Sequence, residues 1–274
     1  HDKKLSKGLE RLSMKIINII KFSLSYKRLV VILKKFFLRF FDKKNSITES
    51  DLNIWLKKNE DSISNFCSTL DKNLWSETRK EIEAILKIST ENLKNIPHDL
   101  GGAAAIDLLY FLTRYSNPKV VVETGVAAGF SSFSILKALK TNNNSGHLYS
   151  SDFPYFRLPN PTRYIGVVVP DEFQKEWKLY LDGDQKNLNK ILNLVRSIDL
   201  FHYDSDKSYN GRKLALELVM TKIHKDSWII MDDISDNSFF YDFVNSNSFN
   251  KRYKIFQIKN KRVGLIYPKL KKNI

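Results

Sequence analysis

From Pro118 onward, short apolar runs alternate with stretches of helical spacing. Lys119–Glu123 (KVVVE), Leu148–Ser151, Trp177–Leu181, Leu200–Tyr203 and Trp228–Met231 have the length and the β-branched or aromatic content of strands. Ser131–Leu139, Leu188–Ser197 and Ser208–Ile223 space their apolar residues as helices do. Apolar strands separated by helices of this length predict a doubly wound α/β fold, with a mostly parallel sheet covered on both faces. The end of the chain differs. Tyr253–Ile258 and Val263–Tyr267 flank Lys259-Asn260-Lys261-Arg262, which predicts an antiparallel hairpin.

Upstream, the period is helical. Residues 11–41 read as one amphipathic helix, with a polar stripe at Arg11, Lys15, Asn18, Lys21, Ser25, Arg28, Lys35 and Arg39. A broad surface of Ile, Leu and Phe surrounds that stripe. Residues 47–95 read as further helix, with Trp55, Phe66, Leu70, Leu74, Ile82, Ile85 and Leu86 as core positions. Asn95-Ile96-Pro97 breaks the pattern, and a helix over Ala103–Tyr115 follows. The expected organisation is a helical extension over 1–95 and an α/β domain over 96–274.

Composition narrows the class. Hydrophobic residues make up 42% of 274, enough for a packed core and too many for general disorder. One cysteine, Cys67, excludes a disulfide framework and a thiolate metal cluster, as expected of a cytoplasmic protein. The net charge of +15 is uneven. Residues 1–45 hold 13 Lys/Arg against Asp2, Glu10 and Asp42, and residues 243–274 hold 9 with no acid, so the middle is slightly acidic. Basic ends around an acidic middle argue against a central nucleic-acid groove and for terminal segments that meet an anionic surface.

The chemistry gathers at the ends of the strands. The first strand runs into Glu123-Thr124-Gly125-Val126-Ala127-Ala128-Gly129-Phe130-Ser131-Ser132, a glycine turn that leads into a helix N-terminus. The dinucleotide fingerprint needs glycine at 127 and 130, where Ala127 and Phe130 stand, so an NAD site is disfavoured. The next strands end in Asp152, in Asp182-Gly183-Asp184, in Asp204-Ser205-Asp206-Lys207 and in Asp232-Asp233. A lone terminal Asp is usually a helix cap. Acids at five successive strand ends share one crevice, which is costly unless a cation or a hydroxyl-rich ligand compensates.

These blocks resemble the class I S-adenosylmethionine-dependent methyltransferases over about residues 100–268, and among them the cation-dependent O-methyltransferases. Catechol and caffeoyl-coenzyme A O-methyltransferases show E-x-G-V-x-x-G-x-S and D-x-D-K, comparable with Glu123–Ser131 and Asp204–Lys207. A second branch holds the sugar O-methyltransferases of macrolide biosynthesis and cephalosporin-hydroxylase-like proteins. It is similar over VVVETGVAAGFSS, VVVPDEFQKEW, IDLFHYDSDKSY, IIMDDI and KRVGLIYP, in the same order and spacing. That branch often has His at position 207, where Lys207 stands here, and Lys225-Asp226-Ser227 replaces its usual Gly-Gly.

The resemblance implies a Rossmann-like, seven-stranded sheet with an antiparallel last hairpin. It makes Glu123, Gly125, Val126, Ala127, Gly129, Ser131 and Ser132 the turn that binds S-adenosylmethionine, with Asp152 on the ribose, Asp184 near the adenine and Asp204 beside the cofactor. Asp204, Asp232 and Asp233 become ligands of a divalent cation, and oxygen donors favour Mg²⁺. Methyl transfer to oxygen requires alignment of acceptor and methyl and removal of a hydroxyl proton. Lys207 and His202 are the rival bases, and Asp204 is placed with them among the catalytic residues. Phe153–Tyr164, aromatic and stiffened by proline, is the candidate lid or acceptor wall.

The leading expectation is an O-methyltransferase acting on a hydroxylated small molecule or sugar. Against it stand an interaction protein that has lost the chemistry and a nucleic-acid methyltransferase. The latter is disfavoured because no N/D-P-P-Y/F motif is present. For residues 11–41 the resemblance favours a homo-oligomer arm, with core packing and a peripheral membrane contact as alternatives.

Overall fold

The computed structural model describes residues 13–21, 23, 29–33, 37, 40–42, 45–103, 105–246 and 252–270. The predicted helix over 11–41 therefore lies partly outside the described residues. Within it, residues 13–21 and 29–33 are helical.

The predicted helical stretch over 47–95 is three helices and a strand: α1 (Glu49–Lys58), β1 (Glu60–Asp61), α2 (Ile63–Leu70) and α3 (Lys72–Leu93). The divisions are chemical. Asn59 closes α1 by donating from its side chain to the Trp55 carbonyl at 2.8 Å. Ser62 and Asp71 then cap α2 and α3 by accepting from the N–H groups of Asn65 and Leu74. Between them β1 joins the sheet edge, where Lys254 pairs with Asp61 at 2.6 Å and Arg262 with Glu60 at 3.1 Å.

The α/β part follows as α4 (Ile106–Ser116), β2 (Val120–Thr124), α5 (Phe130–Asn142), β3 (His147–Ser151), β4 (Trp177–Tyr180), α6 (Asp184–Leu194), β5 (Ile198–Tyr203), α7 (Tyr209–Met220), β6 (Ile223–Met231), α8 (Phe239–Val244), β7 (Arg252–Ile258) and β8 (Lys261–Tyr267). The sheet order is β1-β7-β8-β6-β5-β2-β3-β4. Strands β2 to β6 pair in parallel, and β8 is antiparallel to both β6 and β7. This is the expected seven-stranded arrangement with the C-terminal hairpin, and the two-residue β1 adds an eighth strand at the edge.

Each strand feeds both faces, because successive side chains alternate. Val121, Leu200 and Ile230 pack with Leu108, Phe111, Phe133 and Leu136 beneath α4 and α5, where Phe66, Trp75 and Ile85 of the extension join them. Val122, Phe201 and Ile229 pack on the other face with Leu188, Ile191, Leu216 and Val219, joined by Leu52 and Leu56. Truncating one of these buried side chains to Ala costs about 2–5 kcal/mol. Trp75 and Trp228 are buried as expected, whereas Trp55 is half-buried against Tyr241 and Tyr253.

Cys67 lies in the first cluster, fully buried, and burial pushes its thiol pKa up, with Asp107 adding to the effect. Native protein is therefore expected to resist a thiol reagent, and one equivalent should react on unfolding. Fast labelling without denaturant would contradict this burial.

Candidate active site

Chain order reverses at β2, which has β3 on one side and β5 on the other. Such a switch point leaves a crevice at the carboxyl ends of the strands. Register places Glu123 beside Ser150 of β3 and His202 of β5, so the three side chains share one face of the sheet. Glu123 Oε2 accepts from Ser132 Oγ at 2.5 Å and from Ser150 Oγ at 2.9 Å, and His202 Nδ1 lies 3.4 Å from Oε1. Glu123 and Ser132 have no exposed surface. In this structure both lie beneath the turn and hold its base.

The turn itself is bound on both sides. Gly125 (φ 84°), Ala127 (φ 50°) and Gly129 (φ 102°) are all left-handed. A Cβ on Gly125 would stand 2.2 Å from the Asp204 carbonyl oxygen, and one on Gly129 would stand 2.8 Å from the Gly166 Cα. Neighbouring backbone alone thus requires glycine at both positions. Asp152 Oδ2 accepts from the N–H groups of Val126 and Ala127 at 2.9 and 2.7 Å, and its Oδ1 accepts from Phe153 N–H at 2.6 Å. Asp152 therefore closes the turn.

Gly125, Val126, Ala127, Ser131 and Asp204 line a narrow cleft of about 30 Å³. Asp184, whose Oδ1 accepts from Ser151 Oγ at 2.7 Å, lines a neighbouring apolar cavity of about 270 Å³ with Gly183, Leu214 and the N-terminal residues Val30 and Val31. The Phe153–Tyr164 loop lines neither, and touches residues beside them. Tyr155 donates to the Leu100 carbonyl at 2.9 Å, and Phe153 is buried against Ile32.

Beyond the turn, acids and cations interleave. His202 Nε2 faces Asp232 Oδ1 at 3.6 Å, and neither atom makes a hydrogen bond. His202, Asp204 and Asp232 each bring one ligand atom within 4.8 Å of the others. Asp233 stands apart from that group. Its backbone is left-handed, at φ 54°, and its Oδ2 accepts from Lys207 Nζ at 2.9 Å and Lys261 Nζ at 3.0 Å. Lys207 also donates to Asp204. Of the expected trio, Asp204 and Asp232 group with His202, while Asp233 pairs with Lys207 and Lys261.

Carboxylates face both candidate bases. Burial favours neutral His202, but the Asp232 and Glu123 carboxylates outweigh it and raise the imidazole pKa to about 10. Burial likewise opposes the charge on Lys207, yet Asp204 and Asp233 raise its pKa above the ordinary lysine value. Asp204 is raised by burial and by the Asp232 charge. Asp233 resists burial through Lys207 and Lys261, which lower it. The neighbouring carboxylates thus favour the protonated form of both His202 and Lys207.

Arg212 is the functional residue that the sequence conceals. It is fully buried on α7, and its guanidinium donates to the backbone carbonyls of Asp232 at 2.9 Å and Asp233 at 2.8 Å. A lone Arg inside a helical pattern reads as a solvated position, so no local signal marks it. Lys261 sits at the end of the hairpin turn and is hidden in the same way.

Residues 122–234 match the model of a family described as a methyltransferase domain. No curated protein sequence matches the chain. Among solved structures, the chain is similar to the O-methyltransferase from Bacillus cereus in complex with SAH, at 12% identity over 68% of this chain and 90% of that one, with a TM-score of 0.51. It is also similar to the O-methyltransferase TomG from Streptomyces achromogenes, involved in tomaymycin synthesis and in complex with SAM, at 12% identity over the same shares and a TM-score of 0.52. At that identity the likeness is one of fold. Residues 122–234 thus match a methyltransferase-domain family, and the chain shares the fold of these solved O-methyltransferases.

Proposed function

We propose that the protein is an S-adenosylmethionine-dependent O-methyltransferase that acts on a hydroxylated small molecule or a sugar. The observation that carries this reading is the meeting, at one sheet edge, of the 123–132 turn with Asp204 and Asp232. The turn, braced by Asp152, offers N–H groups at the start of α5, and Asp184 stands farther along the crevice.

A divalent cation fits the acidic end through Asp204 and Asp232. The buried, unbonded Asp232 Oδ1 points into that group, and the donors are mainly oxygen. When bound, such an ion supplies charge that orients adjacent hydroxyls and lowers the pKa of one of them. Lys207 and Lys261 neutralise Asp233, and Arg212 fixes the backbone that carries both aspartates.

Calorimetry with S-adenosylmethionine, followed by labelled methyl transfer to nucleoside, sugar, lipid-linked glycan and catechol pools, tests the reading. Asp204→Ala and Asp232→Ala are expected to lower methyl transfer by about 100-fold or more while cofactor affinity stays within a few-fold. Full turnover by chelator-treated wild type would remove the cation from the proposal. Absence of cofactor binding would remove the enzyme itself.

A further inference from the structure

The helical residues at 13–21 and 29–33 meet the rest of the protein on one side. Val31 would contact a side chain on Gly183 at 3.1 Å, Ile32 is buried with Phe153, and Asn18 donates to the Arg157 carbonyl at 3.3 Å. Asp42 then accepts from the N–H groups of Tyr209 and Asn210 at 2.8 and 2.9 Å, which ties the segment to the start of α7. The other side is apolar and open. Met14, Ile16, Ile17 and Ile20 are 47–58% exposed, and Phe37 and Phe40 farther along the chain are 62% and 84% exposed. Four residues separate Ile16 from Ile20 and Ile17 from Lys21, so one face carries isoleucines with an exposed lysine at its border. A patch of this kind marks an interaction site.

Charge selects what covers it. Residues 1–45 carry a surplus of ten positive charges, and Lys15 and Lys21 are exposed beside the isoleucines. A second copy would bring two such surpluses together, which repels. Nucleic acid would answer the charge but leave the Ile and Phe side chains without an apolar partner. An anionic bilayer answers both, with lysines at the headgroups and apolar side chains at the acyl boundary. Among the described residues no helix is long and apolar enough to cross a membrane. From this we infer that the N-terminal segment lies in the interface of an anionic lipid surface and holds the protein there. The inference is independent of the methyl-transfer reading.

The full chain is expected to co-sediment with vesicles of phosphatidylcholine and phosphatidylglycerol at about 0.05 M salt, and to be released at about 0.5 M. It should leave vesicles of phosphatidylcholine alone in solution. Ile16→Asp combined with Ile20→Asp should weaken binding by about tenfold or more with an unchanged melting temperature, since both side chains are exposed. Lys15→Gln combined with Lys21→Gln should weaken it several-fold. Failure to bind anionic vesicles at low salt would overturn the inference, and so would equal binding by the Ile16→Asp/Ile20→Asp variant. Light scattering that finds a dimer dissociated by the same two substitutions would overturn it in favour of a second copy.

Discussion

Replacing Gly125 by alanine is expected to cost about 3 kcal/mol or more of stability, to lower the melting temperature by roughly 5–15 °C and to abolish cofactor binding. Two effects combine. The residue is left-handed at φ 84°, which costs a side-chain-bearing residue about 1–2 kcal/mol. Its Cβ would also stand 2.2 Å from the Asp204 carbonyl oxygen and 2.5 Å from the carbonyl carbon, a collision only backbone movement can relieve. That movement carries Asp204 with it, because Asp204 N–H is bonded to the Thr124 carbonyl at 2.8 Å. Gly101 provides the control. It has nearly the same φ, 86°, and nothing within 4 Å of the position a Cβ would take. Gly101→Ala should therefore show the backbone cost alone. Calorimetric melting of the two variants with and without S-adenosylmethionine separates the effects. Equal losses at 101 and 125 would show that close contact with the end of β5 is not what requires glycine.

What the sequence disclosed and what it hid follow from the range over which each interaction acts. β2 and β5 were legible because strands buried on both faces must be apolar throughout, and KVVVE and IDLFHY are so for most of their length. The terminal acids were legible as well, since each stands directly after such a run. Their partners were not. Glu123, Ser150 and His202 come together only through the register of three strands, 27 and 79 residues apart along the chain. The family resemblance implied Asp233 as a third ligand. Its left-handed backbone and its pairing with Lys261, 28 residues later, turn it aside. Helix α8 escaped notice because six residues are too few to display a period. The helical pattern over 47–95 hid β1, since two residues become a strand only when β7 offers an edge. Competing positive charges at the acidic end likewise come from segments distant in sequence, which is why both proposed bases looked freer than they are.

Arg212→Met is expected to destabilise the protein by about 3–5 kcal/mol, a fall of roughly 5–15 °C in melting temperature, with methyl transfer lost before the fold is. Methionine can fill much of the same space and donates nothing. The Asp232 and Asp233 carbonyls would be left buried without these donors, and the Lys207 carbonyl, 3.4 Å from Nε, would lose a third. Asp236, 3.6 Å from the guanidinium, would also lose its cation. Arg212→Lys should restore little. One ammonium cannot reproduce a planar fork that reaches two successive carbonyls, even though the charge is kept. The contrast separates geometry from charge. If the Lys variant recovers both melting temperature and turnover, the positive charge near Asp236 is what matters. If both variants lose turnover at temperatures where circular dichroism shows them folded, the guanidinium is holding the 232–233 backbone in place. The second result is expected, because Arg212 bonds main-chain atoms on both sides of the Asp232–Asp233 step and therefore sets where both carboxylates begin.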